Sequence, residues 1–141
     1  MAINEQGRQL EVAREAEEVL RTLVHSTRTV PHPRDSYSLL GELGMMIDDL
    51  AQVCDQLASW HSRAEDSTHY EGEDGNRSGS PRAAADELTT AASALRLASN
   101  HVHRAHSLNA VVRWFDDPQQ EDSSGLPNVS VHTTIYDEQE D

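Results

Sequence analysis

The feature that most constrains this chain is a small residue-spacing rule kept up over two long stretches. Leu39, Leu43, Met46, Leu50, Val53, Leu57 and Trp60 recur at spacings of 4-3-4-3-4-3, and so do Ala84, Leu88, Ala91, Leu95, Ala98, Val102 and Ala105. A half-buried strand would alternate; a period of 3.5 residues belongs to α-helices packed along a common seam. Set antiparallel, the two stretches bring Trp60 near Ala84, Leu57 near Leu88, Val53 near Ala91, Leu50 near Leu95 and Leu43 near Val102. Large residues on one helix then meet alanines on the other, so the pair can approach closely and interdigitate. The pattern predicts a helical hairpin with Leu50 and Leu95 buried against each other.

The boundaries follow from turn chemistry. Asp35 or Ser36 can cap a helix over 36–63, and Ser80-Pro81 is an N-cap followed by proline at the first helical position, starting a helix over 81–112. Leu40, Ile47 and Cys54 flank the first seam, with Gly44, Ala51 and Ala58 just beyond them. An apolar face covering more than half the circumference needs two neighbours, which puts this helix at the centre. A further helix over about 4–28, with Asn4 as N-cap, shows a narrow stripe of Leu10, Ala13, Ala16, Leu20, Leu23 and Val24. Pro31 and Pro33 end it, because the residue before a proline is turned away from helix. The expected fold is all-α: a three-helix, up-down-up bundle over residues 1–115, built on the long antiparallel hairpin. A polar loop joins its last two helices over 64–80. An acidic tail over 116–141 is expected to be disordered, with Val129–Tyr136 as a docking peptide.

Charge narrows the partners. The formal net charge is −14, and Asp116–Asp141 holds eight acids and no base. Long-range repulsion opposes direct nucleic-acid binding and an anionic membrane surface. The N-terminus lacks a charged-then-apolar leader and no run approaches a membrane span, so a cytoplasmic location is expected. The charge favours a protein partner of basic character. A homodimer is also expected, because three helices leave part of the central one uncovered. The single cysteine, Cys54, excludes an intramolecular disulfide and is placed as a packing residue.

Eight histidines are the most unusual feature with chemical meaning. In an up-down-up bundle His25, His32, Asp35, His103 and His106 share one pole. His103 and His106, three residues apart on one face, have a spacing that can chelate a metal, with His25 as the third candidate ligand. No Glu-x-x-His or His-Glu-x-x-His pattern accompanies them, and histidines near helix C-termini are also favoured by the helix dipole. No metal and no cofactor is therefore assigned. His61 is expected to be a satisfied, partly buried residue. Asp48 and Asp55 are expected on a solvated face, and Glu15-x-x-Glu18 has no second carboxylate pair to complete a helical pyrophosphohydrolase site. No catalytic residue is assigned, and no phosphate loop or nucleophile motif is present.

The segments Leu57–Asp74 (LASWHSRAEDSTHYEGED), Ala105–Phe115 (AHSLNAVVRWF) and Val30–Leu43 (VPHPRDSYSLLGEL) resemble small uncharacterised helical proteins of actinobacteria, some encoded on mobile elements. The resemblance implies no activity and transfers no functional residue. The hairpin is also similar to a secreted helical-hairpin family defined by Trp-x-Gly, but here Trp60 is followed by His61-Ser62 and that motif fails. What is left is a non-enzymatic binding module or small regulator. Leu108, Val111, Trp114 and Phe115, which continue past the second seam, are its expected interface. The rivals are an acidic inhibitor that mimics nucleic acid and occupies a basic groove, and a metal-dependent helical enzyme.

Overall fold

The computed structural model describes residues 7–64 and 80–115. They form three helices, α1 (Gln9–Ser26), α2 (Asp35–Arg63) and α3 (Pro81–Asn109), and no strand among the described residues. The all-helical architecture and its antiparallel hairpin of α2 and α3 are as the sequence predicts. The Asn4 cap, most of the loop over 64–80, the tail over 116–141 and its octet Val129–Tyr136 lie outside the described residues.

Helix ends obey local chemistry. Ser80 Oγ accepts a hydrogen bond from the Ala83 N–H at 3.1 Å, with Pro81 opening α3. Asp35 is the first residue of α2 rather than its cap, placing its carboxylate on the positive end of the helix dipole. Its N–H donates to the His32 carbonyl at 2.8 Å. α3 stops at Asn109, three residues short of Val112, and the Ala110 N–H closes the last turn on the His106 carbonyl.

The hairpin keeps the expected register but not the expected rotation. Asn109 Nδ2 donates to Ser36 Oγ at 2.8 Å, and Tyr37 stacks on His106, so residues meet at the predicted heights. On α2, however, the buried residues are Gly44, Ala51 and Ala58, with Leu40, Ile47, Cys54 and His61 half-buried between them. That is a heptad one place on from Leu39–Trp60. Ala51 is 1% exposed, whereas Leu50 is 48% exposed, so the predicted burial of Leu50 is not observed. On α3 the half-buried Leu88, Leu95 and Val102 hold their expected places. The intervening layer is Ala85, Ala92 and Ser99 instead of Ala84, Ala91 and Ala98. Small residues thus recur every seventh position on both helices and come level with one another.

Two physical causes select this rotation. Alanine and glycine allow the backbones to close until the leucines beside them lean over the seam, burying the small side chains completely. Turning α2 the other way would also leave Asp48 and Asp55 on the side remote from α3. In the observed rotation Asp55 pairs with Arg96, and Asp48 Oδ2 accepts from His103 Nε2 at 3.1 Å.

α1 lies against neither α2 nor α3 among the described residues, and none of its residues is buried. Its stripe is narrow and Glu17 interrupts it. The helix is instead supported along its own surface, where Arg21 Nη2 meets Glu17 Oε1 at 2.7 Å and Arg8 Nε meets Glu11 Oε2 at 2.8 Å.

Candidate interaction surfaces

The seam divides the hairpin into two unlike faces. On one side, residues just past the small layer of each helix are polar and bridge the gap: Asp55 with Arg96, and Asp48 with His103. Asp48 is exposed, as expected of a solvated face, and is also tied to α3. Its carboxyl is held below the usual aspartate range, first by a hydrogen bond from the Ser99 hydroxyl and second by the one from His103. Ser99 is the only buried polar residue among those described.

On the other side the flanking residues are apolar. Leu43, Leu50 and Leu57 run along α2, with Met46, Val53 and Trp60 next to them and the alanines 84, 91, 98 and 105 of α3 opposite. Leu50, Val53, Leu57 and Trp60 are all exposed. The stripe read as the hairpin seam is therefore open along Leu50–Trp60, while Leu39, Leu43 and Met46 are half-buried.

At the pole where α2 begins and α3 ends, aromatic and histidine side chains are layered. The Tyr37 and His106 rings stack with centroids 4.1 Å apart and planes 24° from parallel. A Cβ at Gly41 would meet His106 Nε2 at 3.4 Å, an ordinary contact. Gly44 is the glycine that makes room: a Cβ there would come within 2.6 Å of His103 Cε1. Beyond the stack, Trp114 Nε1 donates to Asn109 Oδ1 at 2.7 Å, and Asn109 in turn donates to Ser36. This chain of bonds folds residues 110–115 back over the pole. It frames a shallow depression of about 260 Å³ lined by Arg34, Tyr37, Asn109, Ala110, Val112 and Trp114. The four residues expected at the interface are all exposed, Leu108, Val111, Trp114 and Phe115, with Val111 at 86% and Phe115 at 77%, and of them Trp114 lines the depression.

The histidines do not converge. His25 is on α1, away from the hairpin, while His103 turns to Asp48 and His106 to Tyr37. No group of three His, Cys, Asp or Glu side chains among the described residues is placed to hold a metal ion. His61 is half-buried, its Nδ1 2.8 Å from the Leu57 carbonyl and its ring edge-on to Trp60. Cys54 is half-buried within the seam. No helix among the described residues is long and apolar enough to cross a membrane.

The sequence reading missed the histidine–glycine packing. Its signal was present: Gly41 and Gly44, costly inside a helix, fall level with His106 and His103 in the predicted register. Comparison of the chain with known protein families, curated proteins and solved structures gives no match to any of the three.

Proposed function

We propose that this protein is a non-enzymatic binding module or small regulator that engages a protein partner through the apolar pole formed by Leu108, Val111, Trp114 and Phe115. The observation that carries the reading is the exposure of these four residues at the end of α3, where Trp114 is held by Asn109 and walls a shallow depression. Aromatic anchors presented in a fixed orientation supply interface energy at low entropic cost. The net charge of −14 favours a basic partner, approached with electrostatic steering. The reading includes a cytoplasmic location.

The rival nucleic-acid mimic draws less support. Such a mimic presents a row of free carboxylates on its ordered body, and here Asp48 and Asp55 are engaged by His103 and Arg96. An enzymatic role has no support from His25, His103 and His106, which face different surroundings.

The test is an affinity capture with the full chain, followed by binding measurements on the recovered partner. Residues 118–141 carry six acids, and their deletion leaves the pole intact. The truncated protein is expected to stay folded and keep most of its affinity, while Trp114→Ala abolishes binding. Binding indifferent to Trp114 but lost in moderate salt would refute the module and favour the mimic, because exposed charges are screened over about 8 Å at physiological ionic strength.

A further inference from the structure

We propose that the open leucine face of the hairpin is a self-association surface, on which α2 of one copy lies antiparallel to α2 of a second copy about a two-fold axis at Leu50. The inference goes beyond the proposed function and uses a different part of the molecule.

Leu43, Leu50 and Leu57 are equally spaced, so a two-fold axis at Leu50 maps these three onto themselves. Leu43 then meets Leu57 of the second copy, and Met46 with Val53 and Leu39 with Trp60 come within one residue of level. An isologous contact requires this kind of self-complementary patch. Asp35 of each copy comes close to level with Arg63 of the other, giving two opposite-charge pairs at the ends. Asp49 faces its own copy near the axis, an exposed pair of small cost.

Leu39 to Trp60 rises about 30 Å along α2. With the alanine column of α3 beside it the face is about 20 Å wide, given a usual helix spacing of about 8–10 Å. Each copy would cover on the order of 600 Å², approaching the roughly 800 Å² per partner of a stable interface. An open apolar face of this extent is uncommon on a lone soluble chain.

Among the described residues the other element that could cover the face is α1. Its apolar stripe from Leu10 to Val24 rises about 21 Å, so it spans about two-thirds of the face. A second α2 matches the full length, and its large residues stand over the alanine column in the same way as those of the first.

The test uses the full chain, with Cys54→Ala as background so that only introduced thiols react. Sedimentation or light scattering at micromolar concentration should give twice the monomer mass. Leu50→Glu and Val53→Glu should each return the monomer with helical circular dichroism unchanged, since both residues are exposed within one hairpin. Under mild oxidation Leu50→Cys should close a disulfide between copies. Leu43→Cys and Leu57→Cys should do so only when mixed with each other. A monomer at all concentrations overturns the proposal. So does a dimer unaffected by Leu50→Glu, or one in which Leu43→Cys crosslinks to itself, which would mean parallel pairing. Intramolecular closure between Leu20→Cys and Leu50→Cys in one chain would assign the face to α1 and overturn it as well.

Discussion

The rotation of α2 can be tested by exchanging the size of two adjacent residues. Ala51 and Leu50 are neighbours in sequence, yet the first is 1% exposed and the second 48%. Replacing Ala51 with Leu forces three extra heavy atoms into a layer where Ala51 and the nearly level Ala92 are already fully buried. Overpacking of this kind costs about 1–3 kcal/mol in ordinary cores and should lie at or above the top of that range here. Replacing Leu50 with Ala removes a side chain that is only about half buried. Full burial of a leucine contributes about 1.5–3 kcal/mol, so its truncation should cost about 1 kcal/mol in the single chain. Were Leu50 the centre of the seam, the same truncation would cost about 2–5 kcal/mol. Urea unfolding followed by circular dichroism at 222 nm, at a concentration low enough to keep the chain monomeric, reads both numbers. The order is the test: Leu50→Ala costing more than Ala51→Leu would refute the assigned rotation and return the seam to Leu39–Trp60. Raising the protein concentration should increase the cost of Leu50→Ala and leave that of Ala51→Leu unchanged, because only Leu50 is required by the second copy.

Two further outcomes follow from the histidine layers. Gly41→Ala meets His106 only at ordinary contact distance, so it should stabilise α2 by up to about 1 kcal/mol through helix propensity, read as a raised urea midpoint. Gly44→Ala should give no such gain, because His103 must leave its place beside Asp48; in a His103→Ala background the same change should recover the gain, and equal effects in both backgrounds would refute the packing. The carboxyl of Asp48 is lowered in the folded chain, so its contribution to stability is present above its unfolded pKa, near 3.8, and is lost as pH falls through the lower folded value. Asp48→Asn should flatten that acid limb of a stability–pH profile, and an unchanged limb would remove Asp48 from the account.

Register and rotation were unequally legible in the sequence, for a physical reason. Register depends on where helices begin and on which residues lie at equal height, and Ser80-Pro81, Asp35 and the polar stretch between the helices mark these directly. Rotation depends on which of two adjacent heptads turns inward. On α2 both are uninterrupted: Leu39–Trp60 carries the bulk, and the heptad that includes Gly44, Ala51 and Ala58 carries the small residues. Ranking positions by hydrophobicity selects the first. Packing selects the second, because seam energy depends on how closely two backbones approach as well as on the size of each side chain. The ions could have arbitrated. Asp48 and Asp55 stand seven apart on α2, and Arg96 and His103 stand seven apart on α3, in reversed order along antiparallel helices. Two such cross-helix pairs form together in only one rotation.

The same misreading explains why the pole was easier to place than the hairpin face. Leu108, Val111, Trp114 and Phe115 fall outside any heptad of α3, which leaves them either folding over the end of the bundle or forming part of an interface. Leu50, Val53, Leu57 and Trp60 fit a heptad perfectly and were assigned to the inside for that reason. A regular apolar period shows only that a face is built to pack; it is silent on whether the partner is the next helix of the same chain. In this chain the small-residue heptad meets α3, and the large-residue heptad is left with the regularity of a seam and no helix against it among the described residues. A face with coiled-coil spacing, two-fold self-complementarity and a length that α1 cannot match is better accounted for by a second α2 than by a partner of unrelated shape. The apolar pole, irregular and anchored by Trp114, has the opposite character, and the two surfaces can be occupied at once.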